Sequence, residues 1–131
     1  MFYLGKNSKE NIKGVDQRLI AIVNQALSIS LIDFGIPRDG GVRSDARQLA
    51  MFIDPNIKTN CDGIEHRSKH QEGLAIDFYA YIDGKASWDE THLSHVACSL
   101  LQAASQLGVK VKWGGFFKPD GWDKGHLEIA E

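Results

Sequence analysis

Two side chains able to bind a metal stand seven positions apart in Ser68-Lys-His-Gln-Glu-Gly-Leu-Ala-Ile-Asp77, and this spacing restricts the fold more than any other feature. His70 and Asp77 offer an imidazole nitrogen and a carboxylate oxygen, both good donors to a borderline metal such as zinc. On one straight strand, at roughly 3.3 Å per residue, they would lie about 23 Å apart, far beyond the reach of one ion. If both serve the same ion, the chain turns between them, and Gly73 is the residue that takes the required φ without steric cost. Beyond it Leu74, Ile76 and Phe78 alternate with Ala75, Asp77 and Tyr79, which is the period of a strand. Asp77 then faces an open groove, opposite the larger apolar residues. Taken singly, the two residues read as a loop histidine and a solvent-facing aspartate.

A second cluster lies near the C-terminus, in Asp123-Lys-Gly-His126-Leu-Glu128-Ile. His126 can supply a third ligand and leave a fourth tetrahedral position open, the pattern of a catalytic site. Asp123, three residues earlier, can act as general base without being a ligand. Ser68-x-His70-x-x-Gly73-x-Ala75-x-Asp77 followed by Asp123-x-x-His126 resembles the zinc peptidases of the D-Ala-D-Ala carboxypeptidase and dipeptidase superfamily. Trp113-Gly-Gly and the Asp123-x-x-His126-Leu-Glu ending are most similar to the phage L-alanyl-D-glutamate endopeptidases within it. The resemblance runs from about Val15 to Ile129. It implies Zn2+ held by His70, Asp77 and His126, with Asp123 as the base. Arg43-Ser44 with Gln48 matches an arginine that faces the site before a glutamine-containing helix. Such an arginine can stabilise a developing oxyanion or clamp a substrate carboxylate. Ser68, Trp113 and Gln48 are the expected substrate contacts.

The remaining chain is ordinary for a soluble domain. Its 131 residues suffice for one core, with 43% hydrophobic and 24% charged residues. A net charge of −2, with no run of lysine or arginine, argues against nucleic-acid binding. No apolar stretch approaches a membrane span, and the N-terminus lacks the pattern of a secretory signal. Cys61 and Cys98 form no Cys-x-x-Cys pair and read as two reduced thiols.

Residues 1–14 are polar and read as an arm, leaving 15–131 as a single zinc peptidase domain. Asp16 is an N-cap for a first helix whose Leu19, Ile22, Val23, Ala26 and Leu27 form a core face. Ile32–Gly35 is a short strand and Pro37–Gly41 a turn. Ser44 caps a second helix with Ala46, Leu49, Ala50 and Ile53 on one apolar face. Residues 54–69 form a long loop leading to His70. Its Glu65 and His66 are weaker ligand candidates, for want of a partner at suitable spacing. Asp83-Gly84 is a hairpin turn. Ser87-Trp-Asp-Glu90 is a capping box opening a helix of strict three-and-four spacing from Leu93 to Leu107, ended by Gly108. His92 and His95 lie one turn apart on it and read as its polar flank. Val109–Trp113 is a strand, and the aromatic segment Phe116–Trp122 forms a groove wall, where the family often carries a shorter, more polar stretch. The whole is an α+β domain: a small antiparallel sheet with about three helices packed against it and the zinc site in a groove at the sheet.

The resemblance implies hydrolysis of the L-Ala–D-Glu bond in the peptidoglycan stem peptide during phage lysis, by a monomer made in the host cytoplasm and acting at the wall. Zinc would polarise the scissile carbonyl while Asp123 takes a proton from the attacking water. Glutamate at position 123 would look more like the dipeptidases, so the aspartate favours the endopeptidase branch. A D-Ala-D-Ala carboxypeptidase or dipeptidase is the nearest alternative. A non-catalytic zinc module binding wall peptides would need neither Asp123 nor Arg43.

Overall fold

The computed structural model describes residues 1–130. Four helices, α1 (Lys6–Asn11), α2 (Gln17–Ile29), α3 (Asp45–Ile53) and α4 (Glu90–Leu107), accompany six short strands. The strands β1 (Phe34–Gly35), β3 (Tyr79–Ile82) and β4 (Lys85–Ser87) form one antiparallel sheet, in the order β1-β3-β4. A second antiparallel sheet, in the order β2-β6-β5, comprises β2 (Ala75–Asp77), β5 (Val111–Trp113) and β6 (His126–Ile129). The α+β class is as expected, but the expected single sheet is two. The alternating run Leu74–Ile82 is cut at Phe78, whose N–H donates to the Gly125 carbonyl (2.8 Å) instead of to a ladder partner. The side chain of Phe78 is fully buried, so it joins the two sheets through the core.

Helix α2 starts where Asp16 accepts from the Arg18 N–H (2.9 Å) and stops at Ser30. Its Leu19, Ile22, Val23, Ala26 and Leu27 are all buried and pack along α4. From α4, Leu93, Val96, Ala97, Leu100, Ala103 and Ala104 complete that core, and Gly108 (φ 70°) ends the helix. Truncating a buried leucine such as Leu100 to alanine costs about 2–5 kcal/mol. The N-cap of α4 is Asp89, which accepts from Thr91 and His92. Ser87, expected to lead a capping box, lies in β4 and bonds the His92 ring (2.7 Å) instead. Asp83 and Gly84 take positive φ (52° and 77°), the two left-handed residues of the expected hairpin.

Two further expectations are corrected. Residues 1–14 are not an arm: they carry α1, and Leu4 and Ile12 belong to the core. Leu4, Ser8 and Ile12 recur every fourth residue, so one helical face is buried although the segment is polar overall. The Ser8 hydroxyl accepts from the Ile36 N–H (2.9 Å), tying α1 to the chain after β1. Helix α3, capped by Ser44 as expected, does not bury its apolar stripe. Ala46, Ala50 and Ile53 are exposed, and the buried residue of α3 is Gln48. The inner side of this helix therefore holds a polar network, and its bonds organise the residues before the site.

Candidate metal centre and active site

Gly73 makes the turn that brings His70 back to Asp77, with φ 72° and its N–H donating to the His70 carbonyl (3.3 Å). A Cβ there would also come within 3.1 Å of the Gly14 carbonyl oxygen, so both backbone and space favour glycine. On the other side, β2 and β6 pair with Asp77 directly opposite His126. Cross-strand neighbours on one face stand close enough to share a ligand. Leu127 and Ile129 point into the core, and His126 and Glu128 therefore line the groove face.

Three donor atoms converge. His70 Nε2 lies 3.2 Å from Asp77 Oδ1 and 3.2 Å from His126 Nδ1, and His126 Nδ1 lies 3.3 Å from Asp77 Oδ1. Ligands held tetrahedrally at zinc distances of about 2.0–2.1 Å stand about 3.3 Å from one another. The observed triangle thus already has the size that zinc requires. The outward nitrogens fix which lone pairs face inward. His70 Nδ1 is 3.0 Å from the Gly41 carbonyl, an acceptor, so it carries the proton and Nε2 is free to ligate. His126 Nε2 is 2.9 Å from Glu128 Oε1, leaving Nδ1 as the atom that could ligate a metal. A carboxylate behind a metal-binding histidine is the usual way to orient the ring and raise its basicity. Glu128 is in turn 3.6 Å from the Lys69 ammonium. Glu128 belongs to the ending motif, and the sequence also offers it as a fallback for the base, but not as the carboxylate behind the His126 ring. Its alternation with His126 on a strand was the available signal.

Charge in the metal-free cluster follows from this packing. Burial alone would raise the Asp77 carboxyl, but the charge of His70 and the bonds to His126 and His70 outweigh it and hold it well below the usual carboxylate range. Burial opposes a charge on His126, yet the bonds to Asp77 and Glu128 push it up to about 9. Without metal, a proton on His126 takes part of the cation's place.

Asp123 Oδ2 stands 3.7 Å from His126 Nδ1, beside the triad without joining it. Burial raises its carboxyl against the opposing pull of His126. Its backbone is set by Gly114, where a Cβ would fall 1.8 Å from the Asp123 carbonyl oxygen, so any larger residue displaces the segment. Trp113 does not line the groove. Its indole donates to the Lys124 carbonyl (2.7 Å), pinning the Asp123–His126 stretch. Gln48 also lies outside the groove, fully buried, accepting from Arg43 (2.8 Å) and donating to the Cys61 carbonyl (2.8 Å) and Thr59. Ser68 lines the groove, and its hydroxyl accepts from the His70 N–H (3.2 Å). Arg43 also lines the groove, though nearly buried. Its guanidinium donates to Asp77 Oδ2 (3.2 Å), the Asp39 carbonyl and Gln48, while Nε has no partner among the described residues. Glu65 and His66 are exposed, and neither belongs to the cluster of candidate ligands. Cys61 and Cys98 are both free thiols.

The groove over the cluster measures about 550 Å³. One wall comes from the 54–69 loop and the other from Phe117–Trp122. Phe117 packs against the His126 ring (centroids 5.5 Å apart) and against Trp122 (5.9 Å). Lys58 lies 4.8 Å above the Trp122 ring and spans the two walls. The aromatic segment therefore is a wall, as expected, and its contact with a candidate ligand was not legible from spacing.

This chain resembles known proteins over nearly its full length. It is 30% identical over 142 aligned positions to the L-alanyl-D-glutamate peptidase of Escherichia phage T5, covering 98% of each protein. The crystal structure of the Serratia marcescens L-Ala D-Glu endopeptidase ChiX superposes with a TM-score of 0.82 at 31% identity, covering 98% of this chain and 90% of that one. Residues 1–130 match the family model of the phage L-alanyl-D-glutamate peptidases, so the match takes in the N-terminal residues as well as the two motifs. With its triad, its adjoining aspartate and these relatives, the chain belongs to the phage L-alanyl-D-glutamate peptidase family.

Proposed function

We propose that the protein is a zinc-dependent peptidoglycan hydrolase that cleaves the L-Ala–D-Glu bond of the stem peptide at the host cell wall. The observation that carries the metal assignment is the His70–Asp77–His126 triangle, with donor separations of 3.2–3.3 Å and inward lone pairs. Two imidazoles and one carboxylate suit zinc. Bound there, the ion would polarise the scissile carbonyl and lower the pKa of a water.

The chain's own groups supply the rest. Asp123 accepts a proton from the attacking water and returns it to the amine that leaves with D-Glu, so one residue serves both halves of the reaction. Its burial, which raises the carboxyl against the pull of His126, makes it a stronger base than an exposed aspartate. Glu128 and the Gly41 carbonyl hold the two imidazoles. Arg43, already bonded to Asp77 Oδ2, Asp39 and Gln48, is a positioning residue for Asp77, and its charge also bears on a developing oxyanion. Gln48 and Trp113 act through Arg43 and Lys124 rather than on substrate. No described helix is long and apolar enough to cross a membrane. The relatives' names favour this bond over the D-Ala-D-Ala alternatives.

The test is to digest purified sacculi and identify the new N-termini by mass spectrometry. D-glutamate N-termini that appear with the wild-type protein, and vanish with a chelator, are expected. New termini elsewhere in the stem would overturn the bond assignment.

A further inference from the structure

The chain is acidic overall, at −2, but its groove is not. Arg43, Lys58, Arg67, Lys69 and Lys118 line it, against the three carboxylates of Asp77, Asp123 and Glu128. An excess of one sign within low-dielectric walls concentrates ligands of the other. Three of these cations are already committed. Arg43 is bonded to Asp77, Arg67 to Glu72 and Asp45, and Lys69 to Glu128 and the Ile129 carbonyl. Lys58 has only the Trp122 ring face as a partner, and Lys118 has none among the described residues. Both belong to the aromatic rim: Lys118 follows Phe117, which packs on His126, and Lys58 rests on Trp122, which packs on Phe117. Two uncommitted ammonium groups thus border the catalytic end of a groove that takes a peptide.

In a peptidoglycan stem the D-glutamate is linked onward through its side-chain carboxyl, so its α-carboxylate stays free and ionised unless the host amidates it. We propose that Lys58 and Lys118 make this enzyme selective for stem peptides whose D-glutamate α-carboxyl is free, by receiving that carboxylate on the leaving side of the scissile bond. The proposal rests on the L-Ala–D-Glu reading above and names the substrate form that this site prefers. Recognition of this kind acts on the ground state as much as on the transition state, so it belongs in KM. Between partly solvated charges it is modest and sensitive to salt.

The test uses two soluble muropeptides that differ only in a free or an amidated D-glutamate α-carboxyl, cleaved by the zinc-loaded parent and by the double variant K58Q/K118Q. Both positions are exposed, so glutamine there is expected to keep the fold, which circular dichroism of the double variant checks. The parent is expected to favour the free acid by roughly five-fold in kcat/KM, through KM, with the preference shrinking as salt is added. The double variant is expected to lose the preference because KM for the free acid rises to that of the amide at similar kcat. Equal cleavage of both peptides by the parent, or a preference that persists in K58Q/K118Q, would overturn the role of the lysines while leaving the activity intact. Failure of the parent to cut either peptide would count against the L-Ala–D-Glu activity itself, and the lysine role would fall with it.

Discussion

Glu128→Gln isolates how far the carboxylate behind His126 contributes to metal binding. Glu128 Oε1 accepts from His126 Nε2 at 2.9 Å, its side chain is 15% exposed, and the Lys69 ammonium lies 3.6 Å from its other oxygen. Glutamine keeps an acceptor oxygen but removes the charge. A charge-assisted bond is roughly twice as strong as a neutral one, so the loss is about 1–1.5 kcal/mol, close to tenfold in affinity. Lys69 then faces the metal site with its charge uncompensated, which extends the expected loss towards the 10–100-fold range typical of such groups. A second effect opposes this one. Glu128 also helps to raise His126 to about 9, so in the variant the competing proton is held less tightly. Near neutral pH that relief offsets part of the loss. Above about pH 9, where the His126 proton is already gone, the full loss remains. Zinc competition against a chromophoric chelator at about pH 7 and about pH 9.5 reads both regimes, with circular dichroism to confirm the fold. The loss is expected to grow with pH. An unchanged affinity at the higher pH, or a loss confined to neutral pH, would refute the role given to Glu128.

Asp123→Asn should keep one zinc and lose muropeptide turnover by roughly 100-fold or more, the scale of a missing general base; zinc content and kcat measured on one preparation check this, and surviving turnover would place the base elsewhere. In Gly114→Ala the added Cβ would lie 1.8 Å from the Asp123 carbonyl, so the segment must shift, and kcat should fall by about 100-fold with zinc retained. His126, raised to about 9, is protonated at neutral pH without metal, so zinc uptake at about pH 7 should release about one proton, measurable by calorimetry in buffers of different ionisation enthalpy. The same raised pKa stabilises the metal-free protein fully below the ordinary histidine value of about 6.5 and loses that contribution as pH rises through about 9, so the apo Tm should fall across this window.

The cluster of candidate ligands was legible because metal chemistry needs particular residue types and Gly73 reported the turn between two of them. Helices α2 and α4 were legible because their apolar periodicity is strong and their ends are marked by Asp16 and Gly108. Where polar atoms carry the packing, periodicity misleads. Gln48 is the buried residue of α3, because its amide can be satisfied by Arg43, Thr59 and the Cys61 carbonyl, and no apolar pattern reports such a network. Residues 1–14 failed for a related reason: Leu4, Ser8 and Ile12 make a buried stripe with a serine at its centre. The division into two sheets turned on the single backbone bond from Phe78 to Gly125, a long-range contact that local alternation does not encode. Phe117 against His126 and Lys58 over Trp122 are likewise products of loop closure, and only the aromatic composition of the segment hinted at a wall.

The most direct test is a zinc titration of metal-free protein, scored at each point by release of D-glutamate N-termini from a soluble muropeptide. Cleavage should rise in proportion to added zinc and break sharply at one ion per chain, and His70→Ala, Asp77→Ala and His126→Ala should each abolish both the break and the cleavage. Full cleavage by the metal-free protein, or a break at one zinc that survives in any two of these variants, would contradict the assignment of His70, Asp77 and His126 as the catalytic metal site.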